Sequence, residues 1–567
     1  MVPIDKNPQT IAYFSMEIAV DASIPSYSGG LGVLAGDTLR SAADLEVPMV
    51  AVTLLHRKGY FRQILEANGH QREIADEWDP SQHLEQLAST ARISLEGRNV
   101  AIRAWRHEVR GISGHLVPVY FLDTDLPEND VTDRRLTDYL YGGDQHYRLC
   151  QEAVLGLGGL EILEVLQHQY VNTYHLNEGH SALLALGLLE RQLRMRPGAL
   201  PGPEDVSRLR LCCVFTTHTP VPAGHDQFPK SLAQQVLGDS RLKLIDSIEG
   251  FHDGALNMTY LALRLSHYIN GVGMHHGETS RGMFPDYPIR AITNGVHAIT
   301  WTSQPFAELY DRHIPEWRRD NLYLRYVIGI PLEETGEAHR VAKRRLLDEI
   351  QKRTGQVLDD KVMTIGFARR AAAYKRLDLL FSDLQHLAWI ARQVGRIQIV
   401  CGGKAHPQDE GGKHAIQRIF DAAAALAGSI PLVYVENYDL AWAHLLVSGT
   451  DLWLNTPQHP QESSGTSGMK AALNGVPSLS VLDGWWVEGH IEGFTGWAID
   501  GSDGSGGIAQ ELTSLYGKLE RVILPLYYSR PAAYAEVMRS TIALNGSFFN
   551  TQRMVAQYVA NAYESVT

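Results

Sequence analysis

Short apolar segments rich in β-branched residues recur along the whole chain, each followed by a stretch with the apolar spacing of a helix. They lie at 47–55, 117–125, 170–177, 211–220, 362–370, 397–405, 431–438, 451–457 and 477–486. Because they are apolar throughout instead of alternating, they predict strands buried on both faces of parallel sheets. The pattern therefore predicts an α/β protein, in which ligands bind beyond the carboxyl ends of the strands.

The predicted strands fall into two sets, separated by an irregular stretch at about 285–340 that is rich in Pro, Trp and charged residues. We interpret this stretch as a domain junction. The hypothesis is a first domain at 1–305 and a second at 306–530, with the functional site in the cleft between them. Residues 531–567 are predicted to form a helical tail that crosses back to the first domain. A chain of 567 residues is long enough for two large domains.

Composition narrows the class of protein. With 44% hydrophobic and 20% charged residues the chain is typical of folded enzymes and not of disordered proteins. Lys and Arg number 51 against 64 Asp and Glu, and the net charge of −13 argues against a nucleic acid or an anionic membrane as partner. Four cysteines without a CxxC pair indicate neither a disulfide framework nor a zinc site, and so a reducing compartment. With no signal-peptide layout and no long apolar stretch, the sequence predicts a cytoplasmic protein.

A glycine-rich segment near the start, SYSGGLGVLAGDT at 26–38, leads into a helical pattern. A glycine-rich turn before a helix exposes backbone N–H groups, so Gly29, Gly30 and Gly32 could hold a phosphate. A tight turn that packs closely against a strand explains the same glycines equally well, and both interpretations stay open at this point.

The densest group of cations follows the predicted strand at 362–370, in the segment GFARRAAAYKRLD. It contains Arg369, Arg370, Lys375 and Arg376. A solvated basic helix face is the usual explanation for such a run. The alanines between the pairs, and their place at the end of a buried strand, favour long cations that converge on phosphoryl groups.

A second segment, QESSGTSGMKAA at 461–472, combines small residues at a predicted helix start with Lys470 about two turns further on. A lysine amine on such an apolar stretch can form a Schiff base with an aldehyde cofactor. By physics alone, an ordinary surface or salt-bridged lysine is the favoured interpretation.

Other polar residues follow other predicted strands. They are Asn177, Glu178, His180, His218, Asn294, His297, Lys404, His406, Glu436 and Tyr438. Each alone is more typical of a satisfied structural group. Together, at strand ends in both halves of the chain, they favour a site for a polar sugar. No histidine pair stands with an acid at ligand spacing, so we predict no metal site.

Eight motifs in sequence order resemble the α-glucan (glycogen, starch, maltodextrin) phosphorylase family in its shorter prokaryotic form. The motifs are SYSGGLGVLAGDT, YHLNEGHSA, FTTHTPVPAGHD, TNGVHAITW, GFARRAAAYKR, GGKAHP, VENYD and ESSGTSGMKAALNG. The resemblance covers roughly residues 11–500. It implies two Rossmann-like domains facing a cleft, the GT-B glycosyltransferase type. The domain at 1–305 is then expected to bind glucan and phosphate, and the domain at 306–530 pyridoxal 5′-phosphate.

The resemblance also implies a role for named residues. Lys470 would carry pyridoxal 5′-phosphate as a Schiff base. The residues expected to hold the cofactor phosphate are Arg369, Lys375 and the backbone at Thr466 and Ser467. Those expected to hold the substrate phosphate are Arg370, Lys375 and the backbone of Gly30. The expected ligands of the glucose hydroxyls are His180, Asn294, Tyr374, Tyr438, Glu462, Ser464 and Gly465.

The implied reaction is reversible phosphorolysis with retention of configuration. Orthophosphate attacks the non-reducing end of an α-1,4-glucan, maltodextrin or glycogen, and α-glucose 1-phosphate is released. The substrate phosphate acts as acid on the glycosidic oxygen, its proton supplied through the cofactor phosphate. The backbone carbonyl of His180 helps stabilise the oxocarbenium-like charge.

Two positions depart from the family pattern: Arg369 stands where many members have Lys, and Ala19 where long-chain members have a Tyr that contacts the cofactor. Because the chain is shorter than the muscle and plant enzymes, we expect no phosphorylation or nucleotide control of their kind. Members of the family tend to form homodimers, so a homodimer is one expectation. Two other functions remain open: a sugar-nucleotide glucosyltransferase of the glycogen synthase type, and a catalytically silent glucan-binding protein.

Overall fold

The computed structural model describes residues 10–196, 198–221, 224–501 and 507–563. Residues 1–9 and the last four of the predicted tail therefore lie outside the described residues. The strands are β1 (Thr10–Phe14), β2 (Met49–Leu54), β3 (Arg62–Leu65), β4 (Gln71–Ile74), β5 (Glu85–Leu95), β6 (Arg98–Arg110), β7 (Leu116–Asp123), β8 (Val171–Asn177), β9 (Cys213–Thr216), β10 (Gln227–Pro229), β11 (Phe251–His252), β12 (Ala255–Asn257), β13 (Tyr268–Gly271), β14 (Arg290–Ala291), β15 (Met363–Ala368), β16 (Ile397–Gly402), β17 (Leu432–Val435), β18 (Leu452–Asn455), β19 (Ser478–Val481) and β20 (Gly496–Ile499).

The α-helices are α1 (Gly30–Asp44), α2 (Val131–Arg134), α3 (Gln145–Ala153), α4 (Gly159–Val165), α5 (Leu183–Leu193), α6 (Pro203–Arg210), α7 (Lys230–Ser247), α8 (Met258–Arg264), α9 (Met274–Met283), α10 (Ala298–Trp301), α11 (Gln304–His313), α12 (Leu332–Thr354), α13 (Leu384–Gln393), α14 (Glu410–Ala425), α15 (Leu440–Gly449), α16 (Ser467–Ala472), α17 (Trp486–Gly489), α18 (Gly507–Lys518), α19 (Leu524–Ser529), α20 (Pro531–Thr541) and α21 (Thr551–Tyr558). Among the described residues, no helix combines the length and apolar character that a membrane span needs.

The described chain divides into two compact units. Unit 1 consists of 10–61, 75–292 and 555–563, and unit 2 of 62–74, 293–501 and 507–554. These limits do not coincide with those predicted after 305 and 530, and the functional division into domains stays a prediction.

Unit 1 is built on a nine-stranded sheet in the order β14-β13-β9-β8-β1-β2-β7-β6-β5. The strands from β14 to β7 are parallel, and β6 and β5 add two antiparallel strands. Numbered along the chain, the parallel strands run 3-2-1-4-5-6-7 from β7 to β14, so the order reverses between β1 and β8. A parallel sheet binds ligands at the carboxyl ends of the two strands on either side of such a reversal.

Unit 2 contains a six-stranded parallel sheet in the order β17-β16-β15-β18-β19-β20, which is again 3-2-1-4-5-6 along the chain. Its reversal lies between β15 and β18. A separate antiparallel hairpin, β3–β4, also belongs to unit 2 although it comes from the first part of the sequence. Both units are α/β with parallel-rich sheets, as the sequence predicts.

The central strands are buried on both faces, which explains their continuous apolar sequences. All six residues of β2, of β15 and of β16 are buried. In unit 1 the strands pack against the apolar faces of α4 and α5. At about 25 cal/mol per Å² of apolar surface, this burial is the main stabilising contribution in each unit.

One expectation from the sequence is wrong, and the set of predicted strands is incomplete. The stretch at 285–340 is not irregular, since it contains α10, α11 and a 3₁₀ segment at Asn321–Gly329. The predicted strands do not include the antiparallel strands β5 and β6. In β5, exposed and buried residues alternate over much of the strand, so it lacks the continuous apolar run. Its two-residue turn to β6 has positive φ at Glu96 and Gly97, as a tight hairpin requires.

The end of the chain packs within unit 1. The Tyr563 hydroxyl lies 2.6 Å from Nδ1 of His175, and the Tyr558 hydroxyl lies 3.0 Å from Oγ1 of Thr216. Both tyrosines are buried against residues of β8 and β9, so residues 555–563 form part of the core of this unit.

Candidate active site

In unit 2, most of the predicted site residues lie at the carboxyl ends of β15 and β18. Arg369 follows β15 directly, and the segment that contains Glu462 and Lys470 follows β18. These are the two strands at which the order of the sheet reverses. The fold therefore brings two motifs about 90 residues apart in sequence to the place where α/β sheets bind ligands.

The carboxylate of Glu462 lies between two predicted phosphate-binding cations. Its Oε2 is 2.5 Å from Nη2 of Arg369, and its Oε1 and Oε2 are 2.7 and 2.6 Å from Nζ of Lys375. All three side chains are largely buried. Burial raises the pKa of Glu462, but attraction to Lys375 and Arg369 outweighs burial and holds the pKa below its usual value. The cluster therefore contains two cations and one anion and keeps an excess positive charge.

Several buried polar atoms around this cluster have no hydrogen-bond partner among the described residues. They include Nε and Nη1 of Arg369 and Oγ of Ser464; elsewhere in unit 2, Oδ1 of Asn294 also has none. A buried guanidinium donor without an acceptor is costly. An anionic ligand with several acceptor oxygens would satisfy Arg369, so the residues present fit a phosphate group.

Lys470 is buried at the same end of the sheet. It is 7% exposed, and its Nζ lies 3.9 Å from the ring centroid of buried Trp301. Asn474 joins the two segments, since its Nδ2 donates to the carbonyls of Trp301 and Lys470. Lys470 is the fourth residue of α16, one turn into the helix and not two as predicted. The surface-lysine interpretation is wrong, and a buried lysine suits attachment of an aldehyde cofactor.

The remaining cations of the motif GFARRAAAYKR have separate environments. Arg370 is exposed and makes no hydrogen bond or ion pair with any described residue. Arg376 has φ +47 and donates to the carbonyls of Thr456 and Pro457 and to Glu511. Arg376 therefore anchors the loop beside the β18 end, which corrects the expectation that it points at phosphoryl groups.

The sugar-binding candidates of unit 2 lie on neighbouring loops. The Tyr374 carbonyl accepts from the backbone N–H of Gln458, and its ring lies 4.6 Å from Nζ of Lys375. Gly465 has φ +79, and a Cβ there would meet the side chain of Glu462 at 3.4 Å. Two residues expected to hold the cofactor phosphate lie at the start of α16. Ser467 accepts a hydrogen bond from the indole N–H of Trp453, and Thr466 precedes the helix as its N-cap residue.

The loop that carries Tyr438 is held by the hairpin β3–β4, which the sequence did not point to. Gln63 and Asn437 exchange two hydrogen bonds between backbone N–H and side-chain oxygen, at 3.0 and 2.9 Å. Gln71 binds both backbone groups of Ala405. Both glutamines are buried. No local pattern reveals this role, because it depends on a contact over more than 300 residues.

In unit 1, the predicted residues Gly30 and His180 lie at the reversal between β1 and β8. His180 is buried, and its Nε2 accepts the backbone N–H of Met16 at 3.0 Å. A backbone N–H can only donate, so the proton of the neutral ring is on Nδ1. Burial lowers the pKa of His180 to about 3, and the ring stays neutral at any ordinary assay pH.

Helix α1 begins at Gly30, within the glycine-rich segment and earlier than the sequence pattern predicts. A Cβ on Gly29 or Gly30 would meet no atom of the described residues within 4 Å, so no contact among these residues requires glycine at either position. Glu17, which sequence reasoning missed, holds the loop: its Oε2 accepts from the backbone N–H of Ser28 at 2.6 Å, and its Oε1 from the Tyr141 hydroxyl. The open space beside Gly30 favours close approach of a ligand. At Gly32 the packing interpretation applies instead, because a Cβ there would lie 2.7 Å from Oε2 of Glu17 and 2.8 Å from Cβ of Tyr27.

Comparison with known proteins identifies the family to which the chain belongs. Residues 214–492 match the family model described as carbohydrate phosphorylase. The chain is 36% identical to a maltodextrin phosphorylase of Thermococcus litoralis, over 98% of this chain and 70% of that protein. It is 36% identical to a glycogen phosphorylase of Mycobacterium tuberculosis, over 98% and 71%, and 32% identical to one of Aquifex aeolicus, over 99% and 87%. The chain therefore belongs to the carbohydrate phosphorylase family, and it is a glycosyltransferase.

Proposed function

We propose that this protein is an α-1,4-glucan phosphorylase that releases α-D-glucose 1-phosphate from the non-reducing end of maltodextrin or glycogen, reversibly and with retention. In each turnover the glycosidic C1–O bond breaks, a C1–O bond to phosphate forms, and one proton passes to the oxygen of the shortened glucan. The observation that carries the proposal is Arg369, which is largely buried beside Lys375 and has two donors without a partner among the described residues. Buried Lys470 lies at the same reversal of the sheet. The names of the relatives support the glucan substrate.

The family implies the GT-B fold, and the strand orders 3-2-1-4-5-6-7 in unit 1 and 3-2-1-4-5-6 in unit 2 support two Rossmann-like domains. The family typically uses pyridoxal 5′-phosphate, and unit 2 holds the residues that fit it. Lys470 would bind it, and Arg369, Lys375 and the backbone at Thr466 and Ser467 would hold its phosphate. When bound, the cofactor supplies a phosphate group that exchanges a proton with the substrate phosphate.

The chain's own cations make this chemistry feasible. Two phosphates as neighbours repel each other by about 4 kcal/mol per pair of unit charges at 4 Å in a partly screened site. Arg369 and Lys375 supply positive charge. Arg370 is exposed, so its guanidinium is accessible to a substrate phosphate that enters from solution. The sugar hydroxyls are assigned to Asn294, Tyr374, Tyr438, Glu462, Ser464 and Gly465. In unit 1, the backbone N–H of Gly30 is assigned to substrate phosphate and the carbonyl of His180 to the developing positive charge.

The proposal is tested by incubating the pyridoxal-loaded protein with maltoheptaose and orthophosphate and measuring glucose 1-phosphate. We expect turnover that requires phosphate. Turnover of a sugar nucleotide instead would identify a synthase-type enzyme, and glucan binding without any turnover would identify a silent binding protein. Either result contradicts the proposal.

Replacing Gly30 by Ala is expected to weaken use of orthophosphate without affecting folding. A methyl group there meets no atom of the described residues within 4 Å, but it fills open space beside the backbone N–H and hinders a ligand from approaching that group closely. Loss of one hydrogen bond to a charged ligand corresponds to a KM for orthophosphate raised about 10-fold or more. Steady-state kinetics with phosphate as the varied substrate measures this. Gly336→Ala on α12, where a Cβ also meets nothing within 4 Å, is the matched control and should leave KM unchanged.

A further inference from the structure

Glu178, the first residue after β8, has a backbone conformation that side chains rarely adopt. Its φ is +78° and its ψ is 163°, a region used almost only by glycine. The residue lies at the carboxyl end of the strand beside which the sheet order of unit 1 reverses. Such strain persists only where surrounding contacts outweigh it, so the contacts of Glu178 identify what the strain maintains.

The carboxylate of Glu178 joins the loops that follow β8 and β9. Its Oε1 accepts from the backbone N–H of Gly179 at 2.9 Å. Its Oε2 accepts from the backbone N–H of His218 at 2.8 Å and from the Thr219 hydroxyl at 3.0 Å. Its own backbone N–H donates to the carbonyl of Thr216 at 2.9 Å. One side chain thus sets the position of one loop relative to the other.

Asn177, the residue before Glu178, binds Ser15, which follows β1, and His218, which follows β9, and the direction of each hydrogen bond is defined. Ser15 donates its hydroxyl hydrogen to the carbonyl of Glu17, so Asn177 Nδ2 must donate to Ser15 Oγ. Asn177 Oδ1 then faces Nε2 of His218 at 2.7 Å, and this nitrogen carries the proton. His218 is therefore held at its backbone by Glu178 and at its ring by Asn177.

We propose that Glu178 is a positioning residue for phosphorolysis: its carboxylate maintains the strained turn that places His180 and fixes the His218–Thr219 backbone beside it. The inference rests on the proposed function, because it needs a reaction at these strand ends. Glu178 does not itself react. Its contribution is to the geometry of groups around the reacting sugar, where a displacement of about 1 Å lowers rates about 10²-fold.

The test compares Glu178→Ala, Glu178→Gly and Glu178→Gln in the full-length, cofactor-loaded protein. Ala keeps the strain and loses the three accepted hydrogen bonds, whereas Gly loses the hydrogen bonds and relieves the strain. Gln can keep the bonds from His218 and Thr219 and loses the one from Gly179. We expect kcat to fall about 30-fold or more in the Ala and Gly variants and about 5-fold to 10-fold in the Gln variant, with KM for phosphate within about twofold of wild type. We also expect Gly to melt at a higher temperature than Ala.

A matched control is Gln167→Gly, which relieves a positive φ of +62° on an exposed residue before β8 and should leave kcat unchanged. A kcat within threefold of wild type in the Ala and Gly variants overturns the inference. If these two do not fold, Glu178→Gln decides, and a kcat within twofold of wild type overturns it. The wild-type assay separates the two proposals, since an inactive wild type refutes the function, whereas active wild type with active variants refutes only the role of Glu178.

Discussion

Replacing Lys470 by Ala will reduce glucose 1-phosphate formation about 10³-fold or more and will remove the near-ultraviolet absorbance of bound pyridoxal. Lys470 is the buried amine at the reversal of the unit 2 sheet, with its Nζ over the Trp301 ring, so no exposed lysine can replace it in the same position. Loss of a group that acts covalently is typically of this order or larger. Initial rates and absorbance spectra of the purified proteins measure the two effects.

Lys352→Ala is the control for this prediction. Lys352 lies on α12 with 76% of its side chain exposed, and its removal should change neither rate nor spectrum. The melting temperature of each variant shows whether Lys470→Ala is folded. A wild-type protein that is colourless and fully active, or a Lys470→Ala protein with the wild-type rate, would contradict the role given to this residue.

Replacing Lys375 by Ala will lower kcat/KM for orthophosphate about 10² to 10³-fold and will also destabilise the cofactor-free protein. The catalytic loss follows because Lys375 is one of the preorganised charges beside the phosphate-binding position. The loss of stability follows because Glu462, with 3% of its side chain exposed, would keep Arg369 as its one counter-ion among the described residues. Removing one partner of a buried pair lowers the free energy of unfolding by about 3 kcal/mol. Phosphate-dependent kinetics and urea unfolding measure the two quantities separately.

The double variant Lys375→Ala/Glu462→Gln distinguishes the two effects. It restores the net charge of the cluster, so it should recover part of the stability but none of the activity. A double-mutant cycle should give a coupling of about 1–3 kcal/mol. Additive stability losses would show that the two side chains do not interact.

Lowering the pH should reduce the contribution of Glu462 to the free energy of unfolding. The pKa of this carboxyl is held below its usual value of 4.5, so its contribution to stability is complete above that pH and decreases as the pH falls below it. The Glu462→Gln variant should not show this part of the loss of stability at low pH. Midpoints of urea unfolding, measured for both proteins at several pH values in the acid range, test this.

The motifs that contribute residues to the proposed site could be recognised from the sequence, because each motif is local. Arg369, Arg370 and Lys375 lie within one short segment after a continuous apolar strand, and Lys470 lies within another. The carboxyl ends of parallel strands meet at one edge of a sheet, so the strand pattern alone predicts that such motifs approach one another. The comparisons confirm the family that the eight motifs indicate.

Contacts between distant segments were not readable in this way. Arg376 looks like its cationic neighbours in sequence, yet its φ and its partner Glu511 turn it into an anchor. The β3–β4 hairpin lies among unit 1 residues in the sequence and joins unit 2 through Gln63 and Gln71. The sequence of a short polar strand does not indicate that its glutamines are buried. Their burial is favourable only because groups from distant segments bind their side chains.

The sequence by itself determined the α/β class, the two sets of strands and the residue types at the proposed phosphate and sugar site, since apolar periodicity and strand-end polarity are local properties. Only the tertiary structure decided how these residues are arranged. It placed Glu462 between Arg369 and Lys375, buried Lys470 against Trp301, and gave Glu178 a strained backbone conformation. The physical reason is that burial, ion pairing and backbone strain depend on which segments meet, and hydrogen bonds between groups far apart in sequence leave no local pattern.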